Sequence, residues 1–222
     1  MPLQTFAKLP SEALLEREAP LRPVPGRPDL VASQAGDVFA LWQAWENESG
    51  EKQDVPYWAN VWPAARLTAE YLGKHPALAG GKTVLDFGCG GGIAGLAAAR
   101  AGATRVIAND IDPAALWMAD RNARANGLTL ACEGGNMLLS PPAPEWELIL
   151  VADLFYEKSI AEPMLRWLRQ ARAQGALILI ADGSRPFAPQ SGVRALAEEI
   201  FTTDADLEGS AERKVRLLEL LA

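Results

Sequence analysis

Thr83-Val84-Leu85-Asp86-Phe87-Gly88-Cys89-Gly90-Gly91-Gly92-Ile93-Ala94-Gly95 limits what this chain can fold into more than any other stretch. It opens as a short apolar strand, Thr83 to Leu85, and passes through the carboxylate of Asp86. It then crosses a loop with four glycines in five positions and leaves as an alanine-rich helix, Ile93 to Ala101. A strand, a glycine turn and a helix N-terminus in that order form the nucleotide-handling unit of open α/β sheets. The glycines let the backbone approach a ligand where any Cβ would collide.

Two patterns overlap in the loop. Gly90-x-Gly92-x-x-Gly95 fits the dinucleotide fingerprint. Asp86-x-Gly88-x-Gly90-x-Gly92 places an acid ahead of a G-x-G-x-G loop and resembles the S-adenosylmethionine loop of class I methyltransferases. A dinucleotide loop begins at the strand end, whereas Gly90 lies four residues beyond Asp86. A carboxylate before the loop would repel a pyrophosphate. S-adenosylmethionine has no phosphate and carries a sulfonium and an ammonium, so it welcomes an acid. The pattern therefore favours S-adenosylmethionine over NAD.

A chain of 222 residues is expected to form one domain with an N-terminal appendage, bounded here as 1–55 for the arm and its helix and 56–222 for the cofactor domain. No run of eighteen apolar residues occurs, so no membrane span or membrane partner is expected. The first residues lack the charged-then-apolar pattern of a signal peptide, and the two cysteines, Cys89 and Cys132, stand far apart. Both features point to a reducing, cytoplasmic setting. Cys89 reads as a small soft filler of the loop rather than a nucleophile. The net charge of −7 argues against nucleic acid as a partner and suits a basic substrate. A single histidine, His75, gives no basis for serine–histidine catalysis or for a bound metal.

Residues 1–29 hold six prolines, four of them between Pro20 and Pro28, which reads as an extended arm with at most a short helix at Ser11 to Glu18. Val38, Leu41, Trp42 and Trp45 predict a helix over Asp37 to Asn47. Pro56-Tyr57-Trp58-Ala59-Asn60-Val61-Trp62-Pro63 predicts a rigid aromatic loop, followed by a helix from Ala64 to Leu72. Beyond it, strands at Thr83–Asp86, Arg105–Asn109, Thr129–Cys132, Glu147–Ala152 and Ala176–Ala181 alternate with helices at Ile93–Ala101, Pro113–Asn126, Ser159–Ala173 and Ser191–Glu199. That alternation implies right-handed crossovers and a parallel sheet buried on both faces. Ile200 to Asp204 and Lys214 to Leu221 read as a closing antiparallel hairpin. The expectation is an α/β, Rossmann-like, seven-stranded, mostly parallel sheet with a C-terminal antiparallel hairpin, the class I methyltransferase fold.

Asp110 ends the second strand, where an acid accepts both hydroxyls of a ribose. Asp112 suits the N-cap of the next helix, with Pro113 at its first position, which leaves Asp110 and its neighbour Ile111 for the ligand. Gly135-Asn136-Met137 follows the third strand, where Asn136 and Met137 are candidates to hold adenine. Asp153-Leu154-Phe155-Tyr156 ends the fourth, and an acid followed by two aromatics there can receive a cation. Asp182-Gly183-Ser184-Arg185-Pro186 ends the fifth on the same edge and reads either as part of the substrate mouth or as a plain turn.

Pro56–Pro63, Val84–Gly90, Ala108-Asn109-Asp110-Ile111-Asp112-Pro113 and Asp153–Tyr156 together resemble the seven-β-strand protein lysine methyltransferases, the family of the electron transfer flavoprotein β-subunit enzyme and its bacterial relatives. The resemblance covers Pro56 to Pro186. It implies transfer of a methyl group from S-adenosylmethionine to a protein lysine, with electron transfer flavoprotein as a candidate partner. It also implies that Asp86, Gly88 and Gly90 form the cofactor loop, that Asp110 is the ribose acid, and that Trp58 and Trp62 pack by the methionine end of the cofactor. Asp153 would lie beside the target amine with Tyr156 as a helper, and Phe155, Tyr156 and Trp58 would line the lysine's approach. A small amine such as a nicotinamide-like compound remains an alternative acceptor, and a non-catalytic SAM- or NAD-binding module an alternative to an enzyme. The triple glycine, Gly90 to Gly92, departs from relatives that carry Ser or Cys with a single glycine.

Overall fold

The structure, a computed structural model, describes residues 8–221. The first residues of the proline-rich arm, 1–7, lie outside the described part. A seven-stranded sheet in the order β5-β4-β3-β6-β7-β9-β8 carries the domain. Its parallel strands are β3 (Thr83–Phe87), β4 (Arg105–Asp110), β5 (Ala131–Gly134), β6 (Leu148–Ala152) and β7 (Leu177–Asp182). The antiparallel pair β8 (Val193–Thr202) and β9 (Glu212–Leu220) closes one edge. Successive strands step outward from β3 to β4 and β5, then from β6 to β7 on the other side. The strand order reverses between β3 and β6, and ligands of open α/β sheets bind at the carboxyl ends of strands at such a point.

Alternate residues of each central strand go to opposite faces. Val84, Val106, Leu148 and Leu150 pack with Leu67 and Leu72 of α3 (Pro63–Lys74) and Leu96 and Ala97 of α4 (Ile93–Arg100). Leu85, Ile107, Ile149, Val151, Ile178 and Ile180 pack with Met164, Trp167 and Leu168 of α6 (Lys158–Ala173). With both faces covered, the strands are apolar almost throughout. Each buried aliphatic contributes about 1.5–3 kcal/mol. No helix among the described residues is long and apolar enough to cross a membrane.

Two parts differ from the sequence reading. The segment Pro20 to Pro28 is not an extended arm. It forms a two-stranded antiparallel hairpin, β1 (Leu21–Val24) and β2 (Arg27–Ser33), turned at Pro25-Gly26, where Gly26 has φ +75°. Pro-Gly is a turn signal, and proline is tolerated in so short a ribbon because it need not donate along a ladder. Of Ser191 to Glu199, predicted as a helix, the residues from Val193 on belong to β8. Its pairing with β9 runs from Val193↔Leu220 to Thr202↔Glu212, and the helix formers Ala195 to Glu199 follow the sheet edge rather than their own propensity. A short helix, α7 (Ala205–Glu208), fills the connection to β9.

The N-terminal elements pack on one helix of the sheet domain. Leu14 and Leu15 of α1 (Glu12–Glu18) and Leu41 and Trp45 of α2 (Val38–Ser49) share a core with Ala114, Ala115 and Met118 of α5 (Pro113–Ala125). Ser11 caps α1 through a bond from the Leu14 amide, and Asp37 caps α2 through bonds from the Phe39 and Ala40 amides. Arg121 of α5 reaches Glu12 and the Ser33 hydroxyl, so charge and packing fix the same contact.

Candidate cofactor and methyl-acceptor site

The glycine loop is held from three sides. From β4, the Asn109 carbonyl accepts from the Cys89 amide at 2.9 Å, and Asp110 Oδ2 accepts from the Gly90 amide at 2.9 Å. From α5, Asn122 Nδ2 donates to the Gly91 carbonyl at 2.9 Å, while Asn122 Oδ1 accepts from the Ser33 amide of β2. Asn122 is fully buried, so both bonds form away from water and link the N-terminal hairpin to the loop. From below, Asp86 Oδ2 accepts from the Gly95 amide at 2.8 Å, serving the first turn of α4, which has no side-chain cap of its own. A Cβ on Gly91 would stand 2.7 Å from the Trp58 carbonyl oxygen. At Gly90, by contrast, a Cβ would meet nothing nearer than Trp58 Cα at 4.0 Å, so the missing side chain leaves the loop open there.

Asp86 stands at the end of β3, ahead of the loop, as expected, but it is buried. It is 2% exposed and tied to the helix start, so its carboxylate is turned away from the open side of the loop. Burial first, and the charge of Asp110 in addition, push its carboxyl up to about 7 against the opposing bond from Gly95. Asp110 is also raised, mainly by burial. A cation bound beside the loop would favour the ionised form of both acids, and an anion there would oppose it. The Cys89 thiol, pushed well up by burial and by both acids, stays protonated, which is a filler's behaviour and not a nucleophile's.

The raised Asp86 has a measurable consequence. Its ordinary value is about 3.9, so between roughly pH 4 and pH 7 the unfolded chain loses a proton that the folded chain keeps. Folded-state stability is therefore full below that window and falls through it by up to about 4 kcal/mol, then levels off. Denaturant unfolding of the ligand-free protein across pH 4 to 8 is expected to show this decline relative to Asp86→Asn, which lacks the titrating group. Parallel curves for the two proteins would show that Asp86 is not raised.

Asp110 ends β4. Each of its oxygens accepts one amide, from Gly90 and from Asp112, leaving a further lone pair on each. Asp112 caps α5 by accepting from the Ala114 amide. Ile111 projects beside Asp110 and is 72% exposed. Asn136 accepts from the Leu138 amide in a turn after β5, and Met137 is half-buried against the α6 face. Asn109 fixes that turn by donating to the Glu133 and Gly135 carbonyls. Trp62 donates its indole N–H to the Tyr57 carbonyl at 2.8 Å and lies against the Tyr57 ring.

Asp153 emerges from β6 with φ +62°, a left-handed conformation that costs a non-glycine residue about 1 kcal/mol or more. Both its oxygens meet the guanidinium of Arg185, Nε donating to Oδ1 at 2.8 Å and Nη2 pairing with Oδ2. Tyr156 is exposed. Its hydroxyl is raised first by partial burial and then by Glu157, Tyr57, Asp110 and Asp153, so it lies among the acids of both strand ends. Phe155 and Trp58 do not line a channel, which corrects their expected roles. Phe155 is fully buried in the α6 core, and Trp58 is 2% exposed, edge-on to Trp45 at 5.7 Å. Large rings gain more from the dry core than from the mouth, so Tyr156 alone of the pair stays outside. Trp58 serves the site through its backbone, against Gly91.

Residues missed in the sequence are Asn122 and the Arg185 pairing. Asn122 had a signal: an amide on the apolar stripe of Ala115, Met118 and Ala119 calls for a buried partner.

Solved structures share this architecture at low sequence identity. A Pyrococcus horikoshii protein described as an RNA methyltransferase superposes with a TM-score of 0.57 at 15% identity, covering 77% of this chain and 91% of that one. The cyclase SpnF superposes with a TM-score of 0.51 at 14% identity, covering 71% and 80%. This is the class I methyltransferase fold. The family model described as ribosomal protein L11 methyltransferase (PrmA) matches residues 65–148. The chain is 40% identical over 132 residues to the electron transfer flavoprotein beta subunit lysine methyltransferase of Danio rerio, covering 59% of this chain and 51% of that protein. It is 34% identical over 143 residues to the Homo sapiens protein of that name, covering 64% and 55%. It is 35% identical over 139 residues to the ribosomal protein L11 methyltransferase of Alteromonas mediterranea, covering 59% and 41%. The chain thus spans about half the length of the curated relatives it matches.

The class I methyltransferase fold implies S-adenosylmethionine, and the residues present fit it. The loop is open at Gly90, Asp110 has acceptor capacity to spare, and the two raised acids favour a cationic ligand.

Proposed function

We propose that the protein is an S-adenosylmethionine-dependent methyltransferase acting on a lysine ε-amine of a protein, with the electron transfer flavoprotein β-subunit as the first candidate. One observation carries this reading: Asp110 ends β4 and Asp153 follows β6, the two strands that flank β3, and the charges of both bear on the exposed Tyr156 hydroxyl, so a cofactor acid and an acceptor acid share one edge of the sheet. Gly88, Gly90 and Asp110 hold the cofactor, with Ile111, Asn136 and Met137 toward adenine, Trp62 toward the methionine end and Asp86 supporting from beneath. Bound there, S-adenosylmethionine supplies a methyl group on a sulfonium, which a neutral amine accepts with loss of a proton. A lysine at neutral pH is a cation, and removing its proton costs about 4 kcal/mol. A carboxylate is a far weaker base than an amine and does not take that proton outright. Asp153 accepts a hydrogen bond from the amine and orients it, and alignment supplies most of the rate. Tyr57, Ile111 and Tyr156 expose large apolar surface around the mouth, more than a small amine needs and suited to a protein surface. A cytoplasmic setting is part of the reading, with Cys89 and Cys132 both unpaired.

The match to the L11 methyltransferase model favours a second acceptor, ribosomal protein L11. Incubating the protein with tritiated S-adenosylmethionine and whole lysate, then resolving the products on a gel, separates the cases. Label at the flavoprotein β-subunit with mass spectrometry placing it on lysine is the expected result. Label at L11 selects the second reading, and label confined to small molecules removes both.

A further inference from the structure

The acid assigned to the target amine is already engaged. Arg185 holds both oxygens of Asp153 in a two-pronged ion pair, and the Gly183 amide donates to Oδ1 at 3.3 Å. The side chains are only 20% and 11% exposed, so little water screens them. Arg185 is itself positioned: its amide donates to Asp182 at 3.2 Å, and Asp182 ends β7 fully buried. Asp153 is braced in turn by its amide, which donates to the Ala181 carbonyl of β7 at 2.9 Å. Two adjacent strand ends thus present a neutralised pair where a naked carboxylate was expected.

A naked, half-buried carboxylate would bind the substrate's ammonium tightly and keep it protonated, because an adjacent anion favours the charged form of an amine. Such a lysine has no lone pair to offer. We infer that Arg185 is a positioning residue that cancels the charge of Asp153, so that the carboxylate orients a neutral lysine instead of trapping the cation. The inference rests on the lysine-methylation reading. The other charges around the pair do not replace this role. Asp182 lies behind it on β7, Arg213 of β9 donates to the Gly183 carbonyl, and Arg216 pairs in register with Asp182. Glu157 and Asp110 lie toward Tyr156 and add negative charge, which makes the cancellation by Arg185 more necessary.

The test compares the parent with Arg185→Gln and Arg185→Lys, each first confirmed folded by thermal unfolding. The probe is recombinant electron transfer flavoprotein β-subunit. Its binding is measured by calorimetry without cofactor, and its methylation is followed from pH 6.5 to 9.5. Arg185→Gln is expected to bind the probe about tenfold more tightly at pH 7, to lower KM alike and to lower kcat about tenfold, with the rising alkaline limb of kcat displaced upward by about one pH unit. Arg185→Lys keeps the charge and is expected to keep the parent's limb. Arg185→Gln that loses kcat with unchanged binding and an unmoved limb would reduce Arg185 to a brace and overturn the inference alone. A parent that transfers no methyl group to lysine would remove the functional reading and this inference with it.

Discussion

Asp110→Ala will bind S-adenosylmethionine about a hundredfold more weakly than the parent, or worse, and titration calorimetry will read the loss directly. Two hydrogen bonds from ribose hydroxyls to a carboxylate are worth about 1.5–3 kcal/mol each, which together correspond to roughly a hundred- to ten-thousandfold in affinity. The same side chain holds the Gly90 amide at 2.9 Å and the Asp112 amide at 3.0 Å, so alanine also releases the open corner of the loop and the entry to α5. Asp110→Asn separates the two contributions. Its one remaining acceptor can keep the Gly90 amide but serves the ribose poorly, so it should fall between alanine and the parent. Parent-like affinity in Asp110→Ala would mean that the cofactor does not lie along β4.

The central sheet was legible because its strands carry two independent signals. Val84, Leu85, Ile107, Ile149, Val151 and Ile178 are apolar on both faces, as strands covered by helices on each side must be, and glycine or proline marks their ends. The edge was harder. Residues Val193 to Thr202 carry Ala, Leu and Glu in helix-favouring order, and only partnership with β9 makes them a strand. A residue that faces water on an edge strand has little packing to declare its state, so propensity misleads there. The N-terminal hairpin failed for a different reason. Proline density suggests an extended arm, yet Pro25-Gly26 is also a tight turn, and the burial of Leu30 and Ala32 against α3 and α4 decides between the two.

The site divided along a similar line. The places of Gly88, Gly90 and Asp110 in the fold were readable because backbone constraint and strand-end position dictate them. Side-chain direction was not. Nothing in Asp153-Leu154-Phe155-Tyr156 says that Phe155 turns into the α6 core while Tyr156 stays out, because that depends on the left-handed turn at Asp153. Trp58 likewise goes to Trp45, a partner supplied by a helix that precedes it. Long-range pairs such as Asp153 with Arg185, or Asn122 with Gly91 and Ser33, join segments tens of residues apart that only the folded sheet brings together.

Asp153→Ala is expected to lower methyl transfer about a hundred- to a thousandfold while cofactor affinity stays at the parent's value, since misplacing a reacting group and losing its polar partner each cost on that scale. The two readouts separate because Asp153 bonds to Arg185 and Gly183, not to the glycine loop or to Asp110. Alanine does more than delete an acceptor. It takes the Asp153 carboxylate away from the guanidinium of Arg185, and it suits φ +62° less well than an aspartate or asparagine does. Asp153→Asn removes those complications in part, since asparagine tolerates the left-handed turn and still offers one oxygen to the amine. If orientation is the main role, Asp153→Asn should keep about a tenth of the parent's single-turnover rate on the flavoprotein β-subunit, well above alanine. If charge is the main role, the two variants should fall together. Parent-like transfer by Asp153→Ala, with its fold intact, would move the amine's acceptor away from β6 altogether.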